Sequence, residues 1–181
     1  RLRPSGRQGP VATSFDAFRA YQAGEAWTWE HLALTRARVV AGVGPGAVAL
    51  ADEVETFRRG LLATAGARDR TLADVAEMRA RLFAAKPAEG PWDTKRGPGG
   101  MTDIELLAET AALIAGSLRR NVAGQLAAGA ELIGRDEAGR LAAAYRLLSA
   151  VQAVTRLLTE GRLDFDAVGE GGRAVLLRET G

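Results

Sequence analysis

Apolar residues that recur every three or four positions constrain this chain more than anything else in it. Ile104, Leu107, Ala111, Ile114 and Leu118 form one such stripe. Leu50, Val54, Phe57 and Leu61 form a second, and Leu147, Val151, Val154 and Leu158 a third. That spacing places side chains on one face of an α-helix, whereas a strand needs alternation. The alternating runs are Arg1-Leu2-Arg3 and the short Arg38-Val39-Val40. The pattern therefore predicts an all-α, multi-helix bundle of six to eight helices, with a short strand remnant at the N-terminus.

Breaks between stripes locate the helices. Ser14 caps a short helix carrying Phe15, Phe18 and Tyr21, which Gly24 ends. A second helix is expected from Glu25 to about Val40, broken by Gly42, Gly44, Pro45 and Gly46. The third carries the Leu50 stripe. Thr71 with Asp74 reads as the cap of a fourth, after a turn at Gly66 to Asp69. Pro87 to Gly100 is the longest stretch without periodicity and holds Trp92 and Asp93. A helix opening at Thr102 should run to about Arg120, and a shorter piece from Asn121 to Ile133 is softened by Gly124 and Gly129. Asp136 can cap the next helix, which Gly161 ends, and Asp164 can cap a last short turn.

Composition narrows the chemistry. With no cysteine, disulfides, thiolate zinc sites and cysteine nucleophiles are excluded. His31 is the single histidine, so paired-histidine metal motifs are absent too, and a hydrogen-bonding role beside Trp27 and Glu30 is expected for it. Twenty-two arginines accompany two lysines, yet the formal net charge is only +2. Neither that balance nor the arrangement of Trp27 and Trp29 near Arg36 and Arg38 makes a nucleic-acid footprint. No apolar run approaches the length of a membrane span, and no signal-peptide layout is present. A cytoplasmic location is expected. The chain starts at Arg1 and not at Met, so it is expected to be part of a longer protein.

The stretch Lys95-Arg96-Gly97-Pro98-Gly99-Gly100-Met101-Thr102 is the strongest candidate for function. Two cations and two glycines stand where a helix begins, with Thr102 and Glu105 spaced as a capping box. Free backbone N–H groups at such a start, next to cations, can hold an anion. The same residues equally describe a loop that ends one helix and starts the next. Asp103 and Glu105 can be read as a metal or acid–base pair, but residues two apart on a helix point to different faces. Arg1, Arg3 and Arg7 are either exposed or set to meet phosphate as rigid forks.

Two stretches go further. Arg-Leu-Arg-Pro-Ser-Gly at 1–6, followed by Ala-Trp-Thr-Trp-Glu-His-Leu-Ala-Leu-Thr-Arg-Ala-Arg-Val-Val-Ala-Gly at 26–42, resembles the bacterial glutamine synthetase adenylyltransferase/deadenylylating enzyme. Pro91-Trp92-Asp93-x-Lys95 and Gly99-Gly100-x-x-Asp103-Ile104-Glu105 match the following blocks in the same order. The first block resembles the C-terminal, adenylylating half of that enzyme more than the N-terminal half. The resemblance implies a nucleotidyltransferase core followed by a helical domain. Residues 1–12 would be the tail of that core and 13–181 the helical bundle. It implies transfer of AMP from ATP to a tyrosine of glutamine synthetase, with magnesium and release of pyrophosphate, and with PII signal protein and glutamine setting the direction. The family's metal-holding acids lie before the Arg-Leu-Arg-Pro run, so no catalytic or metal residue is expected within this chain, and the chain alone is expected to be inactive. Arg1, Arg3, Lys95, Arg96, Gly99 and Gly100 are the expected nucleotide-binding residues, facing the cleft from the helical side. Asp103 and Glu105 would hold that helix start in place. Leu106 and Glu109 depart from the family's usual Phe and Gln. Two other readings stay open: a non-catalytic module docking glutamine synthetase or PII, and the helical part of a related enzyme such as the PII uridylyltransferase.

Overall fold

The computed structural model describes residues 9–161 and 163–181. Arg1, Arg3 and most of the expected strand remnant lie outside them. Among the described residues there are nine helices and no strand: α1 (Phe15–Gly24), α2 (Thr28–Arg36), α3 (Ala47–Thr64), α4 (Arg68–Ala85), α5 (Met101–Ile114), α6 (Val122–Ala128), α7 (Ala130–Ile133), α8 (Arg135–Leu158) and α9 (Gly169–Thr180). Among the described residues no helix is long and apolar enough to cross a membrane.

α5 is the axis of the bundle, packed by α2 and α4 on one side and by α6, α7 and α8 on the other. Its composition explains how so many neighbours fit. Ala108, Ala111 and Ala112 are fully buried, and small side chains let adjacent helices approach closely. Gly129, between α6 and α7, crosses at Ala111, where an added Cβ would stand 2.3 Å from the alanine methyl. Gly66 meets the end of α5 closer still, with a notional Cβ 2.2 Å from the Leu113 carbonyl oxygen.

Two apolar clusters share α5. Ile104 and Ala108 pack with Val122, Leu126 and Ala138, while Leu113 packs with Leu32 and Leu62. A third cluster, Val154, Leu163 and Leu176, joins the end of α8 to α9. The expected stripe on α5 is thus met by Ile104 and Ala111, whereas Leu118 lies beyond the helix and is exposed.

Several boundaries need correction. α2 covers Thr28–Arg36, not residues 25–40: Arg58 and Arg120 take carbonyls at its C-terminal end and the chain leaves extended. α4 begins at Arg68, so Thr71 is buried inside it and caps nothing; Asp74 instead accepts the Thr28 hydroxyl hydrogen bond. α5 stops at Ile114, and Gly116, with φ of +59°, carries the chain out of the helix. The caps expected of Ser14 and Asp164 are present, through Ala17 N–H and through the N–H groups of Asp166 and Ala167. Asn121 caps α6 through Gly124 N–H. His31 lies half-buried with Nε2 3.1 Å from the Gln22 carbonyl oxygen.

Candidate functional site

The loop before α5 is built around one carboxylate. Asp93 Oδ1 accepts the backbone N–H groups of Lys95 at 3.1 Å and Arg96 at 3.0 Å, while Oδ2 accepts that of Glu89 at 3.1 Å. An aspartate that captures amides two and three positions on makes a tight Asx-type turn. Burial pushes the Asp93 carboxyl up, but those three donors and the Arg96 charge outweigh it and hold it below the usual carboxylate range. The turn fixes the backbone from which the Lys95 and Arg96 side chains project.

The start of α5 closes onto this turn. Met101 N–H donates to the Thr94 carbonyl at 2.9 Å and Thr102 N–H to that of Lys95 at 3.1 Å. Gly100 N–H donates to the Gly97 carbonyl at 3.1 Å, and Gly99 N–H to Asp103 Oδ2 at 2.9 Å. The expectation of free amides here is therefore corrected: the Gly99 and Gly100 donors are used within the loop. The glycines matter for space instead. A Cβ on Gly100 would lie 3.1–3.2 Å from the carbonyl oxygens of Lys95, Arg96 and Gly97. Gly97 and Gly99 have φ of +93° and +76°, a region that L side chains rarely adopt.

The expected capping box is also absent. α5 starts at Met101 with Gly100 as its cap residue, so Thr102 lies inside the first turn. Glu105 turns away and accepts the Tyr145 hydroxyl at 2.6 Å. Asp103 takes over the reach-back, and Arg79 grips it with two bonds of 2.5 and 2.7 Å. The Arg79 bond, opposed by burial and aided by Gly99 N–H, holds Asp103 below the usual range. Asp103 and Glu105 thus tie the first turns of α5 to α4 and α8, and not through the capping box that their spacing suggested.

Further along α5, Glu109 pairs with Arg36 at 3.2 Å, and Arg36 also lies 3.7 Å from Glu105. Burial raises the Glu109 carboxyl despite that partner. Burial, then the Glu105 hydrogen bond, pushes Tyr145 up to about 12. Among the described residues no three His, Asp or Glu side chains gather where a metal ion could be held.

Lys95 and Arg96 form a ridge between two hollows. One, of about 620 Å³, lies between the 89–96 loop and the end of α8, and is lined also by Gln152, Thr155, Arg156 and Glu160. Trp92 lines it and stacks on Phe165, with ring centres 5.1 Å apart. The other, of about 340 Å³, lies between α4 and α5. Lys95 is exposed, and Arg96 pairs with Glu89. The structure thus brings Lys95, Arg96, Gly99 and Gly100 into one loop; Arg1 and Arg3 are outside the described residues. The organiser, Asp93, was named in the sequence only as part of a block. Its signal was an Asp two residues before a Lys in a glycine- and proline-rich stretch.

Comparison with known proteins bears on this loop. One family model, described as glutamate-ammonia ligase adenylyltransferase, matches residues 1–51. A second, described as GlnD PII-uridylyltransferase, matches residues 69–173. Relatives matching from end to end decide between them. A bifunctional glutamine synthetase adenylyltransferase/adenylyl-removing enzyme of Mesorhizobium japonicum is 40% identical over 99% of this chain. The chain belongs to the family of these bifunctional enzymes. Those of Caulobacter vibrioides and Rhizobium meliloti are 41% and 39% identical over 100% and 92% of the chain. The chain covers only 18%, 19% and 17% of the three relatives' own lengths, in the order named. It therefore matches a small part of a bifunctional adenylyltransferase, and residues 69–173 of it are similar also to the uridylyltransferase family model. No solved structure matches the chain significantly.

Proposed function

We propose that the intact protein moves AMP from ATP to a tyrosine hydroxyl of glutamine synthetase, and that these helices form one wall of the cleft where this happens. The tyrosine oxygen attacks the α-phosphorus, the bond to the bridging oxygen breaks, and pyrophosphate leaves with its electrons. Charge accumulates on the departing phosphates, so fixed cations facing them favour the transition state. The observation that carries the reading is the Lys95–Arg96 ridge, set by Asp93 between two hollows in a chain similar end to end to adenylyltransferases. Lys95 and Arg96 would neutralise the phosphates. Gly99 and Gly100 would let the loop fold tightly enough to aim them, and Arg1 and Arg3 would join from the core side, with residues 1–12 as the tail of that core. Magnesium belongs to the proposed reaction, but Asp93, Asp103, Glu105 and Glu109 are committed to amides, arginines and Tyr145. We therefore propose that the 181 residues alone transfer no AMP.

The test uses the intact enzyme carrying Lys95→Ala. ATP KM should rise about tenfold, in line with loss of one charge-assisted phosphate contact. Unchanged ATP KM and adenylylation rate would remove Lys95 from the site. PII signal protein is the proposed regulatory partner, and the cytoplasm the proposed location.

A docking role is the second reading, and one surface favours it. Trp27 is 68% exposed beside a hollow of about 300 Å³ lined by Trp29, Val75 and Met78. Exposed tryptophans of this kind are frequent binding anchors. If docking is the main role, Trp27→Ala should weaken capture of glutamine synthetase or PII while Lys95→Ala leaves AMP transfer intact.

A further inference from the structure

The hollow between α4 and α5 brings together three cations, one of them paired with an acid. Lys86 ends α4, Lys95 and Arg96 come from the loop, and Thr102 comes from the first turn of α5. Neither lysine ammonium has a carboxylate partner among the described residues, and Arg96 shares Glu89. Glu105 is the one acid in the lining, and its charge is answered from outside by the Tyr145 hydroxyl and by Arg36. Leu82 and Phe83 line the hollow as well, which lowers the local dielectric and strengthens any charge pairing there.

We propose that this hollow binds condensed phosphate anions, with Lys86 as a cation of the site. Three positive groups converging on one concavity repel one another, and an anion relieves that repulsion. Two of the three project from a backbone that Asp93 has already fixed, so the ordering lost on binding there is that of the side chains alone. The Thr102 hydroxyl, which lines the hollow, can donate. The volume of about 340 Å³ is roughly ten times the share of one water in liquid, room for more than one phosphate group. The proposal rests on the reading above only for the roles of Lys95 and Arg96; Lys86 is new to it.

The experiment is calorimetric titration of the 181-residue chain with inorganic pyrophosphate at low salt, repeated with orthophosphate. Lys86→Gln is compared with Arg68→Gln, which removes an exposed cation from the opposite end of α4. Pyrophosphate should bind more tightly than orthophosphate, and Lys86→Gln should weaken it about fivefold to tenfold with an unchanged thermal midpoint. Arg68→Gln should weaken it less than about twofold, as a distant screened charge does. Absence of pyrophosphate binding, equal affinity for the two anions, or equal losses in the two variants would overturn the site. Pyrophosphate binding that responds to Lys86 while Lys95→Ala leaves adenylylation untouched would keep the site and sink the function, and the converse result would do the reverse.

Discussion

The end of α2 and the start of α5 are both helix termini crowded with cations, and they use them in opposite ways. At α2, Arg58 is only 3% exposed and donates to the Leu34 and Thr35 carbonyls at 2.7 Å and to Glu55 at 3.0 Å. Arg120 adds the Ala37 carbonyl at 2.8 Å and the other Glu55 oxygen at 2.6 Å. These two guanidinia are committed to carbonyls at the end of α2 and to the Glu55 carboxylate between them. At α5 the acids are committed, Asp93 to amides and Asp103 to Arg79, while Lys86 and Lys95 are left over. A cation that completes the fold is thereby told apart from a cation the fold leaves available. In a chain so rich in arginine, composition cannot make that distinction.

The largest effect should come from breaking the α2 end. Arg58→Ala strands the buried Thr35 carbonyl, leaves the Leu34 carbonyl with the Ala37 N–H alone and Glu55 partly uncompensated, a loss of about 3–5 kcal/mol by analogy with broken buried pairs. Urea unfolding midpoints would show it, and a loss below about 1 kcal/mol would mean that water replaces the guanidinium.

Asp103→Asn comes next, at about 1–2 kcal/mol, because the charged pair and the best acceptor for Gly99 N–H go together, while Arg79 is 46% exposed and partly screened. The pH dependence sharpens the comparison. The folded pKa of Asp103 is lowered, so its contribution is fully present above the unfolded value and is lost as pH falls through the folded one. The difference between wild type and Asp103→Asn should therefore shrink in acid.

Much of this was visible beforehand, and the misses share a cause. Helices α1, α3 and α8 follow from apolar spacing, because burial of one face decides them locally. The end of α2 did not follow, because Arg58 and Arg120 that hold it come from 20 or more residues away. The Thr102–Glu105 box failed for the same reason: Tyr145, 40 residues on, outcompetes the local bond for Glu105. The loop's residues stand together in the sequence, but its amides were expected to be free, since nothing in their spacing reveals that carbonyls of Thr94 and Lys95 fold back onto them.

Glu109 tests the middle of α5, between the two regions. Its folded pKa is raised by burial, opposite in sign to Asp103. Its stabilising contribution is present below the unfolded value and is lost as pH rises through the folded one. Glu109→Gln should therefore gain stability relative to wild type over the interval in which pH rises from the unfolded value through the folded one, by less than about 1 kcal/mol because the Arg36 pair is given up. A relative loss over that interval would show that the pair with Arg36 outweighs the cost of burying the carboxylate.

Lys95→Ala should do least to the fold. Its ammonium has no carboxylate partner among the described residues, its side chain is exposed, and the bond that Asp93 makes to position 95 is to the backbone, which alanine keeps. The thermal midpoint should stay within the change expected for about 0.5 kcal/mol. Set beside Arg58→Ala, that near-zero value is the sharpest form of the contrast: one cation whose removal unfolds, another whose removal is felt only by a ligand. A large destabilisation from Lys95→Ala would mean that the loop needs the ammonium to hold its own shape, and the ridge would then belong with the α2 end rather than opposite it.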